Sequence, residues 1–399
     1  MEGLLEKISE ELQIDKSQWT PTKFGDVAIQ QKGKVDRDNT DLTRYVQGGH
    51  MNSEDLHLRS WGELEDEYLG PAFIRRFDEG DILYGSRRTY LRKVVIAPFS
   101  GITSNTTFVI RANEKNIDKR LLPFIMMSEG FTENSVRNSK GSVNPYINWK
   151  DIAKYEFLLP PKDQQAQLAK LLWAMDEVIE KEKEVLRSVE QSYLVKIEKE
   201  LLNKNSEKTY FKDLGKIIRG VGYKPNDLLD SYTNDTCVIL RSNNIFESKI
   251  NYDDIKILNL QKVKPFQILN TGDFAICMSN GSKDLVGKSA IYFDEGDNVS
   301  IGSFCAGFRP KNNLSQRIVQ HLFASNSYRY GIKRILSGSA INNLKPSDIE
   351  SLFLRIEEDK TKVDILLNEL DSLVKNISIL EAKISVSKVL QKSIINQIF

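Results

Sequence analysis

Lys and Arg can hold anionic groups such as phosphates, and Asn, Gln, Ser and Thr can hydrogen-bond to the polar edges of a ligand. Several segments place such residues directly after or between short apolar runs. Tyr84-Gly-Ser-Arg-Arg-Thr-Tyr-Leu-Arg-Lys93 carries Ser86, Arg87, Arg88, Arg92 and Lys93, with Tyr90 interleaved. Met278-Ser-Asn-Gly-Ser-Lys-Asp-Leu-Val-Gly-Lys288 stands at the corresponding place in the second half and offers Ser279, Asn280, Lys283 and Lys288. A second pair is Arg137-Asn-Ser-Lys-Gly-Ser-Val-Asn144, with Arg137, Lys140 and Asn144, and Arg334-Ile-Leu-Ser-Gly-Ser-Ala-Ile-Asn-Asn343, with Arg334, Asn342 and Asn343. Arg241-Ser-Asn-Asn244, after the run Cys237–Leu240, adds Arg241, Asn243 and Asn244. Any one arginine of this kind reads as a solvated surface residue. Their recurrence at equivalent places makes the segments, as sets, candidates for contact with double-stranded DNA, on loops where binding chemistry concentrates.

Other chemistries lack their parts. A DNA methyltransferase needs a Gly-rich cofactor loop and an Asn-Pro-Pro-aromatic motif; Asn144-Pro145-Tyr146 lacks the second proline. Gly281 and Gly287-Lys288-Ser289 enclose five residues where a phosphate loop has four, and the run Ala290–Phe293 after them reads as a strand, not a helix. Asp348 with Glu358-Asp359-Lys360 imitates a nuclease carboxylate set, but the first half has Asp151 without the other members. Cys237, Cys277 and Cys305 are far apart, and His50, His57 and His321 are scattered. That pattern gives no triad, metal spacing or disulfide framework, and a reducing cytoplasm is the expected setting. With 56 Lys and Arg against 55 Asp and Glu, the net charge of +1 excludes a polycation, so any DNA contact must use local basic surface. No run of 18 apolar residues is present, so no membrane-spanning helix is expected. The opening MEGLLEKISEELQID reads as a short amphipathic helix rather than a leader.

Two stretches are built to position these loops. Glycine is absent between Gly141 and Gly215 and after Gly338, and proline is absent from 162 to 224 and after Pro346. Residues without these breakers permit long helices. In the first stretch Leu172, Met175, Ile179, Leu186, Val189 and Tyr193 follow three–four spacing, interrupted at Glu182. In the second, Leu366, Leu370, Leu373, Ile377, Leu380 and Ile384 do the same, with a phase slip near Ser387. This spacing predicts a coiled-coil seam between the two helices. The alternative, one buried face of each helix in a globular domain, fits less well with two such helices closing two similar halves. The intervening regions hold short alternating apolar runs between Gly, Asn and Ser, which predict strand-rich globules.

The halves repeat one another. Phe24–Gly33 matches Phe211–Gly220 at an offset of 187, Gly80-Asp-Ile-Leu83 matches Gly272-Asp-Phe-Ala275 at 192, and Gly141-Ser-Val143 matches Gly338-Ser-Ala340 at 197. Leu171-Leu-Trp-Ala-Met-Asp176 matches Leu366-Leu-Asn-Glu-Leu-Asp371 at 195, while residues 34–72 and 221–265 share almost nothing. The order is a strand-rich module, Gly-Ser, Asp-Ile, Leu159-Pro-Pro-Lys-Asp-Gln-Gln165, then a heptad helix with Leu-Leu-x-x-Met-Asp. It resembles the specificity subunit of type I restriction–modification systems over nearly the whole chain. The second half replaces the Pro-Pro motif with Arg355-Ile-Glu-Glu-Asp-Lys-Thr361.

The resemblance implies an α+β fold: two strand-rich target recognition domains in pseudo-two-fold arrangement, separated by two long antiparallel helices that form a coiled coil. The expected domains are an N-terminal helix (1–19), recognition domain 1 (20–158), a central spacer helix (159–205), recognition domain 2 (206–353) and a C-terminal spacer helix (354–399). A helix of about 35 residues spans roughly 50 Å, so paired helices would act as a ruler between two readers. The resemblance further implies a bipartite DNA target, two docked modification (methyltransferase) subunits, and restriction (translocase/nuclease) subunits. The chain itself would be non-catalytic and hold no cofactor or metal. The complex would be an adenine-specific DNA methyltransferase and ATP-dependent endonuclease, with S-adenosylmethionine, ATP and Mg²⁺ in the partner subunits. Two other classes stay open at this point: a coiled-coil adaptor that binds no DNA, and a single-chain DNA methyltransferase or nuclease.

Overall fold

The computed structural model describes residues 14–36, 39–66, 68–246, 248–293, 298–338 and 341–399. The helix expected at the start of the chain falls, up to residue 13, outside the described residues. The chain forms two compact units: residues up to 184 together with 381–399, and residues 185–380. Each unit therefore holds one strand-rich module and a stretch of both long helices.

In the first unit Gly80 adopts φ +85°, a left-handed turn that glycine enters without steric cost. The chain reverses there into the strand Ile82–Gly85, whose first three residues are buried. This strand lies inside an antiparallel sheet ordered Ala28–Gln31, Thr107–Ala112, Ile82–Gly85, Val94–Ile96. A second sheet is ordered Gly62–Glu63, Arg44–Val46, Gly101–Ser104, Phe73–Phe77, with Arg44–Val46 parallel to Gly101–Ser104. Asp81, buried after the Gly80 turn, accepts the Asp78 backbone N–H at 2.8 Å and two hydrogen bonds from the Arg111 guanidinium at 2.7 and 2.9 Å. Ser128 caps the helix Glu129–Arg137 by accepting the Phe131 N–H.

The second unit repeats this plan. Gly215–Arg219, Cys305–Pro310, Phe274–Cys277 and Ser289–Ile291 form an antiparallel sheet in the same order. Lys256–Asn259, Thr236–Leu240 and Val299–Ile301 form the second sheet, and its last two strands are again parallel. Among the described residues this three-stranded sheet has no equivalent of Phe73–Phe77. Gly272 has φ +91°, and buried Asp273 accepts the Asn270 N–H at 2.8 Å and the Arg309 guanidinium at 3.0 and 2.6 Å. Ser325 caps the helix Asn326–Ser337 as Ser128 caps its counterpart. The fold recurs even where the two sequences share almost nothing, because a strand needs only its apolar alternation.

Pro160 and Pro161 lack backbone N–H donors and bar helix before them. The central helix accordingly runs Lys162–Lys196 and ends in one π turn, Ile197–Leu201. Buried Gln165 accepts the Asp118 N–H at 2.7 Å and donates to the Pro160 carbonyl at 2.9 Å, which ties the helix start to the module. The C-terminal helix runs Lys360–Ile398. In the first unit Leu172 shares one core with Ile394 and Ile395, and Met175 packs against it. Buried Glu182 accepts a hydrogen bond from Ser387 Oγ at 2.9 Å and pairs with Lys383 at 3.3 Å. The polar interruption and the phase slip in the two stripes are thus one contact. In the second unit Lys196 pairs with Glu369 at 2.7 Å, and Ile197 shares a core with Leu366 and Leu370. In each unit the start of one helix meets the end of the other, so the helices pair antiparallel.

The stripes do more than pair the helices, and the expectation of a simple seam needs correction. Tyr193 Oη bonds the buried His321 Nδ1 at 2.9 Å, so this heptad position faces the module. Leu366 and Leu370 share their core with Leu322 and Ile332 of the module. Ile179 and Ile384 are buried, but Leu186, Val189, Leu373, Ile377 and Leu380 are only half-buried. Each helix divides its buried apolar residues between the other helix and a strand-rich module, while Leu171, Val178 and Val185 of the central helix and Ile365 and Ile379 of the C-terminal helix stay exposed.

Candidate nucleic-acid interface

The first unit builds two of the sequence candidates into one piece. The hairpin after the strand Ile82–Gly85 meets the loop 140–147 through a bridge between Arg87 and Tyr146, and the Arg88 N–H donates to the Pro145 carbonyl at 2.7 Å. The Ile147 N–H donates to the Ser86 carbonyl at 2.9 Å. The loop is closed on itself by Lys140 and Tyr146, whose N–H and C=O groups exchange hydrogen bonds of 2.8 and 2.9 Å. Gly141, at φ +89°, permits its first turn. Arg87, Arg88, Tyr90, Arg137, Lys140 and Asn144 are all at least partly exposed around this clamp. Arg88 and Arg92 occupy left-handed backbone at φ 50° and 47°, a strain that non-glycine residues keep only where surrounding bonds hold them.

Two candidates here are corrected. Ser86 is buried and donates its hydroxyl to the Thr106 carbonyl at 2.6 Å, so it fixes the hairpin and does not face a ligand. The Arg92 side chain is 13% exposed and lies 3.2 Å from Glu54 and 3.3 Å from Glu129; the Glu54 contact is an ion pair without hydrogen-bond alignment. That guanidinium is committed inside the module. Lys93 donates to the Gly48 carbonyl, which places the segment Gln47–His50 beside the hairpin. This segment escaped the sequence reading. Its only signal was two adjacent glycines after an apolar run.

The second unit makes the same clamp from different residues. Ser279 bridges Asn343, as Arg87 bridges Tyr146. The Leu344 N–H donates to the Met278 carbonyl at 2.8 Å, as Ile147 does to Ser86. Asn342 Nδ2 donates to the Gly281 carbonyl at 3.0 Å. Asn280 Nδ2 lies 3.5 Å from Ser242 Oγ, so the segment at 241–244 joins the same surface. Lys283, Arg334, Asn243 and Asn343 are exposed, while Ser279, Asn280, Lys288 and Asn342 are half-buried. Asn244 is corrected: it is buried, caps the Arg241 N–H at 2.8 Å and donates to the Asn251 carbonyl at 2.8 Å. Arg241 pairs with Asp254 at 2.5 Å and holds that carboxyl below its usual range. Arg329, not singled out in the sequence, donates to the Lys283 carbonyl at 3.2 Å and to those of Asp284 and Val286, and so pins the hairpin from below.

The decoy motifs resolve into framework. Gly281–Ser289 is a hairpin leading into the strand Ser289–Ile291, and a Cβ at Gly287 would fall 2.9 Å from Ile332. Asp359 caps the C-terminal helix by accepting the Thr361 and Lys362 N–H groups, and Glu358 accepts the Glu207 N–H at 2.6 Å. Burial pushes the Cys237 and Cys305 thiols up to about 12, the opposite of an activated nucleophile. Among the described residues no group of three His, Cys, Asp or Glu could hold a metal, and no helix is long and apolar enough to cross a membrane.

Residues 16–191 match the type I restriction modification DNA specificity domain. The chain is 35% identical over 165 residues to the type I restriction enzyme StySPI specificity subunit of Salmonella potsdam, and 33% identical over 165 residues to the EcoKI specificity subunit of Escherichia coli (strain K12). Each match covers 39% of this chain and only 35% of the relative's own length. The crystal structure of a type I restriction–modification system S subunit from M. genitalium shares the fold, with a TM-score of 0.53 at 13% identity over 98% of both chains. The first half of the chain is thus similar to the type I restriction modification DNA specificity domain, and the fold along its length is the one seen in the M. genitalium S subunit.

Proposed function

We propose that the chain reads double-stranded DNA in two places, one short half-site per module. The observation that carries this reading is the recurrence of one loop clamp at the same end of both modules, with different polar side chains on it. A scaffold duplicated to the level of single hydrogen bonds, with divergent exposed residues, suits one task performed on two sequences. Arg87, Arg88, Arg137 and Lys140 supply phosphate contacts in the first module. Asn280, Lys283, Asn342 and Asn343 offer base-edge or phosphate contacts in the second. The long helices set the distance between half-sites and present surface to two modification subunits. Those subunits hold S-adenosylmethionine and methylate adenine, and restriction subunits with ATP and Mg²⁺ cleave. This chain contributes the address and no reacting group, and the assembly works in the cytoplasm.

Methylation-aware sequencing of DNA from cells that express the chain with its modification subunits tests the reading. The expected result is one bipartite motif with an unread gap. Exchanging residues 20–158 for the corresponding module of another specificity subunit should alter one half of that motif only. An altered second half, or methylation without sequence preference, would overturn the proposal.

A further inference from the structure

The clamp of the first module carries one residue that the polar reading leaves unused. Val143 is 89% exposed, at the tip of the loop closed by Lys140 and Tyr146. Its side chain serves no core, and isolated exposed apolar residues are common enough that exposure alone assigns nothing. Position is what sets Val143 apart. The loop is shut by two backbone hydrogen bonds, turned by Gly141 at φ +89°, and fastened to the hairpin through Arg88 and Pro145. The cations Arg87, Arg88 and Lys140 and the amide of Asn144 lie on the same clamp. A β-branched side chain on a closed loop loses little freedom on binding. An apolar tip on the same clamp as exposed cations matches one feature of a duplex, the C5-methyl group of thymine, the apolar patch on a base edge in the major groove.

We propose that Val143 reads a thymine methyl in the first half-site. This deepens the two-reader proposal and rests on it. The register position of Val143 in the second half is Ala340, so the valine itself has no counterpart there.

The test uses the full chain in whichever assembly binds its mapped target selectively. Each thymine of the first half-site is replaced in turn by deoxyuridine, which lacks only the C5-methyl. One replacement should weaken wild-type binding about fourfold, the equivalent of one buried methyl-sized group. Val143→Ser should weaken binding to the thymine duplex by the same factor and show no further loss on the deoxyuridine duplex. Val143→Thr, which keeps a methyl, should restore most of the affinity. Losses that add independently, or no effect of Val143→Ser, overturn the contact. So does 2-aminopurine next to the site brightening with wild type but not with Val143→Ser, which would mean a wedge between base pairs. A wild-type protein that binds all sequences alike sinks the two-reader proposal itself, whereas a selective wild type with independent losses sinks only the methyl contact.

Discussion

Arg88 and Arg92 lie four positions apart, both in left-handed backbone, yet they serve different ends. Arg88 stands beside the loop clamp, while the side chain of Arg92 sits between Glu54 and Glu129. Replacing Arg87 and Arg88 together by Ala should weaken DNA binding at low salt. It should also flatten the dependence of log affinity on log salt by about 0.9 for each phosphate that is no longer neutralised, measured by anisotropy titrations across salt concentrations. Arg92→Ala should instead lower thermal stability, because it removes the cation that joins Glu54 to Glu129 and leaves Glu54 to Lys392 and Glu129 to Asn396; a drop in salt slope without a drop in Tm would reverse this assignment. A second residue-scale expectation concerns His57, whose Nε2 lies 2.7 Å from Asp176 on the central helix. That hydrogen bond raises the imidazole above its ordinary 6.5, against a smaller opposing effect of burial. Its stabilisation is fully present below the unfolded value and is lost as pH rises through the folded one. Tm should therefore fall across that window in the wild type and fall less in His57→Gln, as thermal melts at stepped pH would show.

At the scale of elements, the legible features were those that demand particular chemistry. The Gly-Asp turns at 80–81 and 272–273 were visible because a left-handed glycine and a buried carboxylate leave few substitutes. The prolines at 160 and 161 announced the central helix. Apart from the strand Thr236–Leu240, the second sheet of each module was not legible, because residues 34–72 and 221–265 keep only apolar alternation in common. Ser86 and Asn244 misled for a related reason. Short polar side chains just after a strand are what a base reader needs and also what an orphan backbone group needs. Only the local backbone path decides between the two. The Asp–Arg pairs give an element-scale prediction. Arg309 is 19% exposed over buried Asp273, whereas Arg111 is 49% exposed over Asp81. Arg309→Ala strands a buried carboxylate and should cost about 3 kcal/mol. Water can reach Asp81 more readily once Arg111 is gone, and that variant should cost about 1 kcal/mol or less. Chemical denaturation of the two variants distinguishes these values, and equal destabilisation would mean that the pairs do not differ in solvation.

At the scale of the whole chain, each unit joins the start of one long helix to the end of the other, and both units carry the same sheets and the same clamp. If the two modules are interchangeable parts of one plan, a chain with residues 20–158 in both module positions should fold and should read a target made of one half-site used twice. The relation between those two copies is informative. The two long helices pair antiparallel within each unit, so on the two-reader proposal the second copy should read the complementary strand, and the methylated motif should be an inverted repeat around an unread gap. Methylation mapping in cells that express this chain with the modification subunits gives the answer directly. A direct repeat would mean that the modules face the same way along the duplex despite the antiparallel helices. A motif that kept the original second half-site would mean that residues 206–353 were never the reader of it. An inverted repeat would tie the specificity of each half to its module, and the order of the halves to the helices alone.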